Sequence, residues 1–364
     1  MTSTRLRLVR WLVPFAVIGM VLGVAGLRTT LASATPSLPE LTAAQLLAKV
    51  AQSDVQSLSG TVRTSANLGL PALPDAEGAL GPQAVLSGEQ TLRLYLDGPQ
   101  RQRVDLFGSL AETKLVRNGR QVWHWSSSTN KATHICLPAR PSQRPGHQPD
   151  RGTSGRDRML AGSPQALAWR LLAAIGPTTQ VSVGRAATVA GRPAYDLRLA
   201  PKTADSLIRR ANLYVDAATG LPLRATVLAR GASKPAVDVG FTSITLGAPP
   251  ASVFAFRAPA GAKVSKRSVP SWTGKPHPDA ARPRVHGSGW VTAVEIRGGS
   301  AAAVTDPRIG VLLRSARTVT GQFGSGKLLT SRLLTVLVTG DGRIFAGPVT
   351  APALLRMASA AGPR

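Results

Sequence analysis

The chain has 364 residues, of which 43% are hydrophobic and only 4% are aromatic, with 36 Gly and 28 Pro. This composition provides enough apolar mass for a core and for two domains, and it favours loop-rich β structure over a helical bundle. The 44 Lys and Arg residues outnumber 18 Asp and Glu, which gives a net charge of +26. Because these basic residues are scattered and accompany no nucleic-acid-binding motif, the charge predicts attraction to an anionic membrane surface or an acidic partner, and no nucleic acid.

Residues 1–34 have the layout of an export signal. Arg5, Arg7 and Arg10 precede an uncharged run over residues 11–27, and residues 32–34 supply the small side chains of a peptidase site. This predicts the general secretory route, because the adjacent arginines of a twin-arginine signal are missing. A retained membrane anchor is the alternative, since the run would reach roughly 25 Å across a hydrocarbon core about 30 Å thick. In both cases the rest of the chain is expected outside the cytoplasm, secreted or anchored.

Helix and strand signals follow in turn. Thr42 and Gln45 fit a capping box ahead of an apolar stripe, which predicts a helix, and a strand is expected over residues 58–66. The loop over residues 69–88 is long and unusually apolar. Either a lid over an apolar cavity or a crossover packed on the core would account for it.

Alternating apolar residues predict four more strands between residues 92 and 125. Residues 118–119 (Asn-Gly) mark a hairpin between the last two. Trp123 and Trp125 share one face of the final strand, where they either fill the concave side of a curved sheet or line a ligand cleft. Cys136 is the only cysteine, so no disulfide forms within the chain, and a half-buried, inert thiol is expected.

A Pro-, Gly- and Arg-rich segment over residues 138–158 interrupts the strands. It is expected to be a solvated loop or, in the functional alternative, a contact for anionic lipid or an acidic partner. Ser163-Pro164 then begins a second helix, lined by Leu167 and Leu171. The arginines of the anionic-surface contact are Arg140, Arg144, Arg151, Arg156 and Arg158.

Residues 211–264 are the most informative part of the chain. A strand ending at Asp216, a turn over residues 217–220 and two further strands predict an antiparallel meander, followed by an apolar exit at Phe254 and Phe256. The succession of Tyr-x-Asp, Thr-Gly-Leu-Pro-Leu-Arg and Phe-x-Phe-x-x-Pro-x-Gly resembles the closing half of the lipoprotein-carrier (LolA/LolB-like) fold. The same fold forms the large domain of RseB/MucB-type regulators of extracytoplasmic sigma factors.

The resemblance implies an α+β fold, in which helices plug a curved antiparallel sheet that forms an incompletely closed β-barrel. It covers about residues 41–264, so we expect a half-barrel domain over residues 37–264. A Pro-rich linker over residues 265–289 and a small C-terminal α+β domain over residues 290–364 complete the predicted organisation. An isolated carrier lacks this extension, which favours an RseB-like or an actinobacterial-style membrane-associated relative.

The resemblance also implies a function, which is to bind a lipid or lipoprotein acyl chains outside the cytoplasm, without catalysis. One alternative is an RseB-like envelope sensor that regulates an anti-sigma factor through protein contacts; a transporter is another membrane partner of this kind. A third alternative is a structural envelope protein with a solidly packed barrel. Strand phase selects an apolar cavity lining made of Leu92, Leu94, Val104, Leu106, Trp123, Trp125, Leu213, Val215, Val227 and Phe241.

Nothing in the sequence indicates an enzyme, a metal site or a cofactor. The five histidines have no metal-ligand spacing. Residues 321–327 fit the phosphate-loop pattern G-x-x-x-x-G-K, but Leu328 stands where Ser or Thr is needed, and the flanking order predicts strand, turn, strand. In the C-terminal region a short helix is expected over residues 307–314, one strand over residues 328–339 and a terminal helix from Thr350.

Overall fold

Strands far outnumber helices in the part of the chain that the structure describes. The structure is a computed structural model that describes residues 36–69, 88–108, 111–137, 163–173, 175–268, 283–297 and 316–362. The chain divides into two units, Met1–Ser37 and Leu38–Arg364, and every element below belongs to the second. The helices are α1 (Ala43–Ala51), α2 (Pro164–Ala173) and α3 (Ala351–Ala360), with a 3-10 turn at Ala251–Phe254. The strands are β1 (Ser57–Ala66), β2 (Glu89–Asp97), β3 (Arg101–Phe107), β4 (Glu112–Asn118), β5 (Gln121–Ser126), β6 (Lys131–Cys136), β7 (Thr179–Val183), β8 (Ala187–Val189), β9 (Arg192–Pro201), β10 (Ile208–Asp216), β11 (Pro222–Ala229), β12 (Val237–Leu246), β13 (Lys263–Ser268), β14 (Arg284–Ser288), β15 (Val291–Ile296), β16 (Arg317–Gly321), β17 (Gly324–Thr330), β18 (Thr335–Thr339) and β19 (Ile344–Gly347).

Within the described residues, thirteen strands form one large open sheet. Its order is β13-β6-β5-β4-β3-β2-β1-β12-β11-β10-β9-β7, and β8 also pairs with β9. Neighbouring strands are antiparallel except β13, which runs parallel to β6. The structure therefore confirms a mostly β architecture with few helices, built on a large, open, curved antiparallel sheet.

The predicted meander joins the two halves of this sheet. β10, β11 and β12 pair in sequence order, and β12 then pairs with β1. The turn between β10 and β11 is held by Asp216, whose carboxylate accepts hydrogen bonds from Arg192 Nε (2.8 Å) and from the amide of Thr219 (2.9 Å). Burial alone would raise the pKa of Asp216, but the bonds from Arg192 and Thr219 outweigh it and hold that pKa below its ordinary value.

The pairing register gives the large sheet two chemically different faces, because paired residues lie on one side and successive residues alternate. The side that we call the apolar face carries Leu94 of β2, Val104 of β3 and Leu213 of β10. We call the opposite side the charged face, because its strand residues form ion pairs. In these pairs each aspartate is the partner of an arginine. These pairs include Arg103–Asp105, Arg198–Asp196 and Arg224–Asp238.

Helices α1 and α2 cover the apolar face where it is formed by β9, β10 and β11. The predicted capping box is present at the start of α1: the Thr42 hydroxyl accepts from the Gln45 amide (3.2 Å), and the Gln45 side chain accepts from the Thr42 amide (2.8 Å). Leu46 of α1 and Leu171 of α2 are buried in one cluster with strand residues such as Leu213. Both helices are therefore oriented by the apolar stripes that predicted them.

A second sheet of six strands follows in the described chain, with the order β14-β15-β19-β18-β17-β16. Helix α3 begins after Thr350, as predicted, and packs on this sheet through Leu354 and Ala358. The two sheets touch at Trp290, whose indole Nε1–H donates to Thr179 Oγ1 (2.7 Å) and whose ring lies in the cluster of Leu46. Further contacts join the sheets at Asp205, which accepts from the amide of Thr350 and from Arg356.

The structure differs from several local predictions. The strand expected over residues 328–339 is two strands, β17 and β18, because the Ser331 amide donates to the Leu334 carbonyl (2.8 Å) and turns the chain. Residues expected in the linker extend β13 and form β14. Cys136 is exposed and not half-buried, because it ends β6 on the charged face. Most of the apolar loop over residues 69–88 and the helix expected over residues 307–314 lie outside the described residues.

Candidate functional site

The register divides the ten predicted lining residues between the two faces of the large sheet. Trp123 and Trp125 lie on the charged face, because they pair with Val116 and Lys114 of β4, which alternate with Leu115. Alternation along one strand shows which of its residues share a face. Only the pairing register shows which residues of neighbouring strands lie on that same face. The remaining eight lie on the apolar face, and they are Leu92, Leu94, Val104, Leu106, Leu213, Val215, Val227 and Phe241.

These eight residues fall into two clusters. Leu213, Val215 and Val227 pack in the cluster that includes residues of α1 and α2, so this part of the apolar face belongs to the core of the protein. The other five belong to a second cluster of buried residues. Leu167 of α2 packs against this cluster. We call these five residues the leucine patch: Leu92, Leu94, Val104, Leu106 and Phe241.

A glycine allows the leucine patch to be continuous across β1. The Phe241 ring of β12 lies directly over Gly60, where an added Cβ would stand 2.9 Å from a ring carbon. The same Cβ would stand 2.5 Å from the carbonyl oxygen of Ser243. Because no side chain occupies position 60, the aromatic ring of β12 reaches across β1 towards Leu94, the pairing partner of Gly60 on β2.

The apolar face continues beyond the leucine patch onto β4, β5 and β6. Leu115 pairs with His124, and His124 pairs with Thr133, on the same side of the sheet as Val104. Exposure rises in this direction: Leu106 is 1% exposed, whereas Leu115 and His124 are half-buried. Burial lowers the pKa of His124, so its imidazole is neutral at pH 7.

Alternation within single strands does not reveal this extension of the apolar face. The extension includes Leu115, Val122 and Ile135. Polar or aromatic residues stand next to each of them along its strand, so alternation does not single them out. The signal that locates them is the hairpin between β4 and β5. Its loop is Gly119-Arg120, with Asn118 paired to Gln121, and this register places Leu115 opposite His124. A tight hairpin thus fixes which residues of both strands share a face.

Positive charge ends the apolar face at β6 and β13. Lys131 pairs with Lys263, and Ile135 pairs with Arg267, so all four side chains lie on the same side of the sheet. Lys131, Lys263 and Arg267 are exposed, whereas Ile135 is half-buried. The face therefore changes from buried aliphatic groups at the leucine patch to exposed cations at its end.

The two tryptophans pack against other side chains on the charged face. Trp123 stacks on His134, with ring centroids 4.2 Å apart, and its ring lies 5.2 Å from that of Phe256. The Trp125 ring is 8% exposed and carries the ammonium of Lys114 at 5.2 Å from its centroid. This aromatic cluster seats the segment after the 3-10 turn against the outer side of β4, β5 and β6.

Other predicted features lie outside the described residues. These are the export signal over residues 1–34 and the basic segment over residues 138–158, with Arg140, Arg144, Arg151, Arg156 and Arg158. Among the helices that the structure describes, none has the length and apolar character needed to cross a membrane.

Neither the dispersed histidines nor the phosphate-loop pattern forms a site within the described residues. No set of three or more His, Cys, Asp or Glu side chains among them could hold a metal ion. Residues 321–327 form part of the β16–β17 hairpin, as predicted, and Lys327 Nζ donates to Thr318 Oγ1 (2.8 Å). The phosphate-loop pattern is therefore a strand–turn–strand, and its lysine serves a cross-strand hydrogen bond.

No family model and no curated protein matches the sequence. The fold is similar to the MucA/MucB complex of Pseudomonas aeruginosa, with 18% identity, 87% of this chain and 96% of that chain covered, and a TM-score of 0.42. A structure of MucB is 17% identical over 86% of this chain and 96% of that chain, with a TM-score of 0.40. A LolA superfamily protein from Nitrosomonas europaea is 14% identical over 60% of this chain and 99% of that chain, with a TM-score of 0.22. At these identities the chain is similar to these solved structures in fold alone.

Proposed function

We propose that the protein is an extracytoplasmic, membrane-associated binding protein for the acyl chains of a lipid or lipoprotein, and that it acts as a carrier or chaperone without catalysis. The observation that carries this proposal is the order of groups along the apolar face. The leucine patch leads to half-buried Leu115 and Ile135, and these lead to exposed Lys131 and Lys263. An acyl chain would lie along the aliphatic part, and an anionic head group would meet the cations.

The free energy gained by burying an acyl chain is large enough to support binding. Burial of about eight methylene groups contributes roughly 6 kcal/mol, at ~0.8 kcal/mol each. The entropy lost when the protein side chains and the ligand become ordered offsets part of this gain. Each lysine close to an anionic head group adds on the order of 1 kcal/mol. In this proposal α1 and α2 plug the β9–β11 half of the face. The ligand enters over half-buried Leu115 and Ile135, and the buried leucine patch must open to receive the end of the acyl chain.

Native mass spectrometry of the protein purified from its own host envelope, with lipid extraction of the same sample, is the first measurement.

A matched pair of valine substitutions then tests which face of the large sheet binds the acyl chain. Val104 of the leucine patch and Val116 of the charged face are 3% and 1% exposed, so Val→Thr introduces an equally buried hydroxyl at either position. We expect Val104→Thr to lower acyl-chain retention and Val116→Thr to leave it unchanged. A lipid-free protein that takes up no added phospholipid would contradict the proposal.

An apolar face on the small sheet supports a second candidate, regulation of a membrane protein such as an anti-sigma factor. Val285 and Ile296 are 65% and 41% exposed. Val285 pairs with Val294, and Ile296 pairs with Ile344, on the side opposite to the Phe345 side that packs under α3. In this proposal the small sheet and α3 form a C-terminal domain that offers this face to the partner.

Site-specific crosslinking separates this candidate from the first. A photoreactive residue at position 285 should crosslink to a membrane regulatory protein in intact cells. The control is position 264, because Val264 is also exposed (50%) but lies on β13 of the large sheet. Crosslinks to the same protein at both positions, or at neither, would contradict the second candidate while leaving acyl-chain binding untouched.

A further inference from the structure

A polar cleft lies over the part of the large sheet where β1, β2, β11 and β12 meet, beside the turn that follows β8. Its volume is about 350 Å³, and its lining includes Arg63, Glu89, Arg224 and Asp238. None of these four residues belongs to the leucine patch, and all four lie on the charged face. Phe241 of the leucine patch also lines the cleft, so this charged concave site lies next to the surface proposed for acyl chains but differs from it in chemistry.

The register explains why these side chains converge. Arg63 of β1 pairs with Gly240 of β12, which pairs in turn with Arg224 of β11. Ser65 pairs both with Asp238 and with Glu89. Two neighbouring rows of paired residues thus point to the same side of four adjacent strands.

Gly240 creates the space between the two arginines. A Cβ at position 240 would stand 2.8 Å from Cγ of Arg224, so the stem of Arg224 lies across the glycine. A glycine inside a strand is typical of a place where another group approaches the backbone closely. Here it leaves the floor of the cleft free of a side chain between Arg63 and Arg224.

The charges of the cleft are only partly neutralised within the protein. Arg224 Nε donates to Asp238 Oδ1 (2.8 Å), so these two charges are paired with each other, and this hydrogen bond raises the pKa of Arg224. Arg63 and Glu89 are both exposed, and neither forms an ion pair or a hydrogen bond with another described residue. One guanidinium and one carboxylate therefore remain available to a ligand.

We propose that this cleft binds a zwitterionic ligand, whose anionic group contacts Arg63 and whose ammonium group contacts Glu89. The two residues are diagonal neighbours across β1 and β2, a placement that separates such positions by about 7–8 Å. A ligand with its two charges a few bonds apart spans this distance. Phosphoethanolamine head groups and free dipeptides share this chemistry. A direct Arg63–Glu89 ion pair would contribute only about 0–1 kcal/mol at an exposed site, so a ligand that satisfies both charges displaces it readily.

Isothermal titration calorimetry of the full-length protein tests the proposal with two zwitterionic probes, glycerophosphoethanolamine and glycylglycine. We expect at least one of them to bind about tenfold or more tightly than glycerol phosphate, acetate and methylammonium, which carry one kind of charge each. Tight binding of the first probe alone identifies a lipid head group as the ligand class. Tight binding of glycylglycine alone identifies a peptide or amino acid.

Single substitutions assign the binding to the cleft. Arg63→Gln and Glu89→Gln should each weaken the zwitterion by about tenfold, because each removes one charge pair. Arg93→Gln is the matched control, since Arg93 lies on the same face, on β2, with its guanidinium over the Phe107 ring (5.2 Å) and outside the cleft. Thermal unfolding of each variant confirms that it is folded. The proposal is overturned if neither zwitterion binds more tightly than the singly charged probes, or if Arg63→Gln and Arg93→Gln have equal effects.

Discussion

Gly220 lies against the carbonyl oxygen of Lys49: a Cβ at position 220 would stand 2.4 Å from it. Gly220 closes the turn between β10 and β11 with φ +73°, and Lys49 is in the last turn of α1. The turn of the meander and the end of the first helix therefore meet backbone to backbone. Glycine is required there twice, once for the left-handed conformation and once for the close approach.

Gly220→Ala should destabilise the protein by about 3 kcal/mol or more, because backbone strain adds to a clash that no side chain can relieve. Gly191→Ala is the matched control, since Gly191 has φ +76° but a Cβ added there would meet nothing within 4 Å. It should cost only about 1 kcal/mol from the left-handed backbone. Urea unfolding of both variants measures the difference. Equal losses would show that the contact between Gly220 and Lys49 is not tight in solution.

Glu295 should make the small sheet sensitive to acid. Its carboxylate is fully buried, which alone would raise its pKa, but hydrogen bonds from Arg297 Nε (2.5 Å) and His286 Nε2 (2.7 Å) hold the pKa below its ordinary value. A lowered pKa in the folded state means that the carboxylate stabilises the fold above its unfolded pKa, and that this contribution is lost as the pH falls through the folded value.

We therefore expect Glu295→Gln to be less stable than the parent at pH 7 and to lose less stability between pH 5 and pH 3. Urea unfolding across this range measures both effects. The exposed Glu40 provides the control, because Glu40→Gln removes a carboxylate without touching the small sheet. Parallel pH curves for Glu295→Gln and the parent would contradict the prediction.

Trp290 should hold the small sheet on the large one. Its ring is 3% exposed in the cluster of α1 and α2, and its indole donates to Thr179. Trp290→Ala should cost about 3–5 kcal/mol through the lost packing, whereas Trp290→Phe keeps most of the packing and should cost about 1–2 kcal/mol through the lost hydrogen bond. Limited proteolysis and urea unfolding report the change. If both variants behave like the parent, the contact does not stabilise the arrangement.

His124 should produce a second pH dependence, near neutrality. Burial lowers its pKa, so the unfolded chain takes up a proton at a higher pH than the folded protein does. The contribution of the neutral imidazole is present above the unfolded pKa, about 6.5, and is lost as the pH falls from there through the folded value. His124→Gln should flatten the stability curve between pH 7 and pH 5. An unchanged slope in this variant would assign the pH dependence to another group.

Local signals were sufficient where the chain makes its contacts within a short segment. The capping box at Thr42, the meander around Asp216 and the β16–β17 hairpin were predicted because their hydrogen bonds join residues close in sequence. The faces of Trp123 and Leu115 depend instead on pairing between strands, which alternation within one strand does not determine. Strand phase therefore grouped the tryptophans with the leucine patch.

The parallel pairing of β13 with β6 is a more extreme case. Lys263 pairs with Lys131, and the residues of β13 are polar and basic, so their composition predicts a linker. The pairing comes from backbone hydrogen bonds to a strand far away in the chain, and such bonds leave no periodic pattern in an exposed strand. The open cleft at Arg63 was equally hidden, since it needs four strands to be in place.

The pairing of β1 with β12 has a consequence for the time course of folding. Leu58 of β1 meets Leu246 of β12, and this is the pairing that unites strands β2–β6 with strands β9–β11 in one sheet. The segment of chain between Leu58 and Leu246 is a long loop that must close before the two strands pair, and long loops close slowly. Until the meander is complete, one edge of β1 has no partner strand. A chain emerging from its N-terminus would thus expose this edge, and with it the leucine patch, to other apolar chains during the interval in which it is most prone to aggregate.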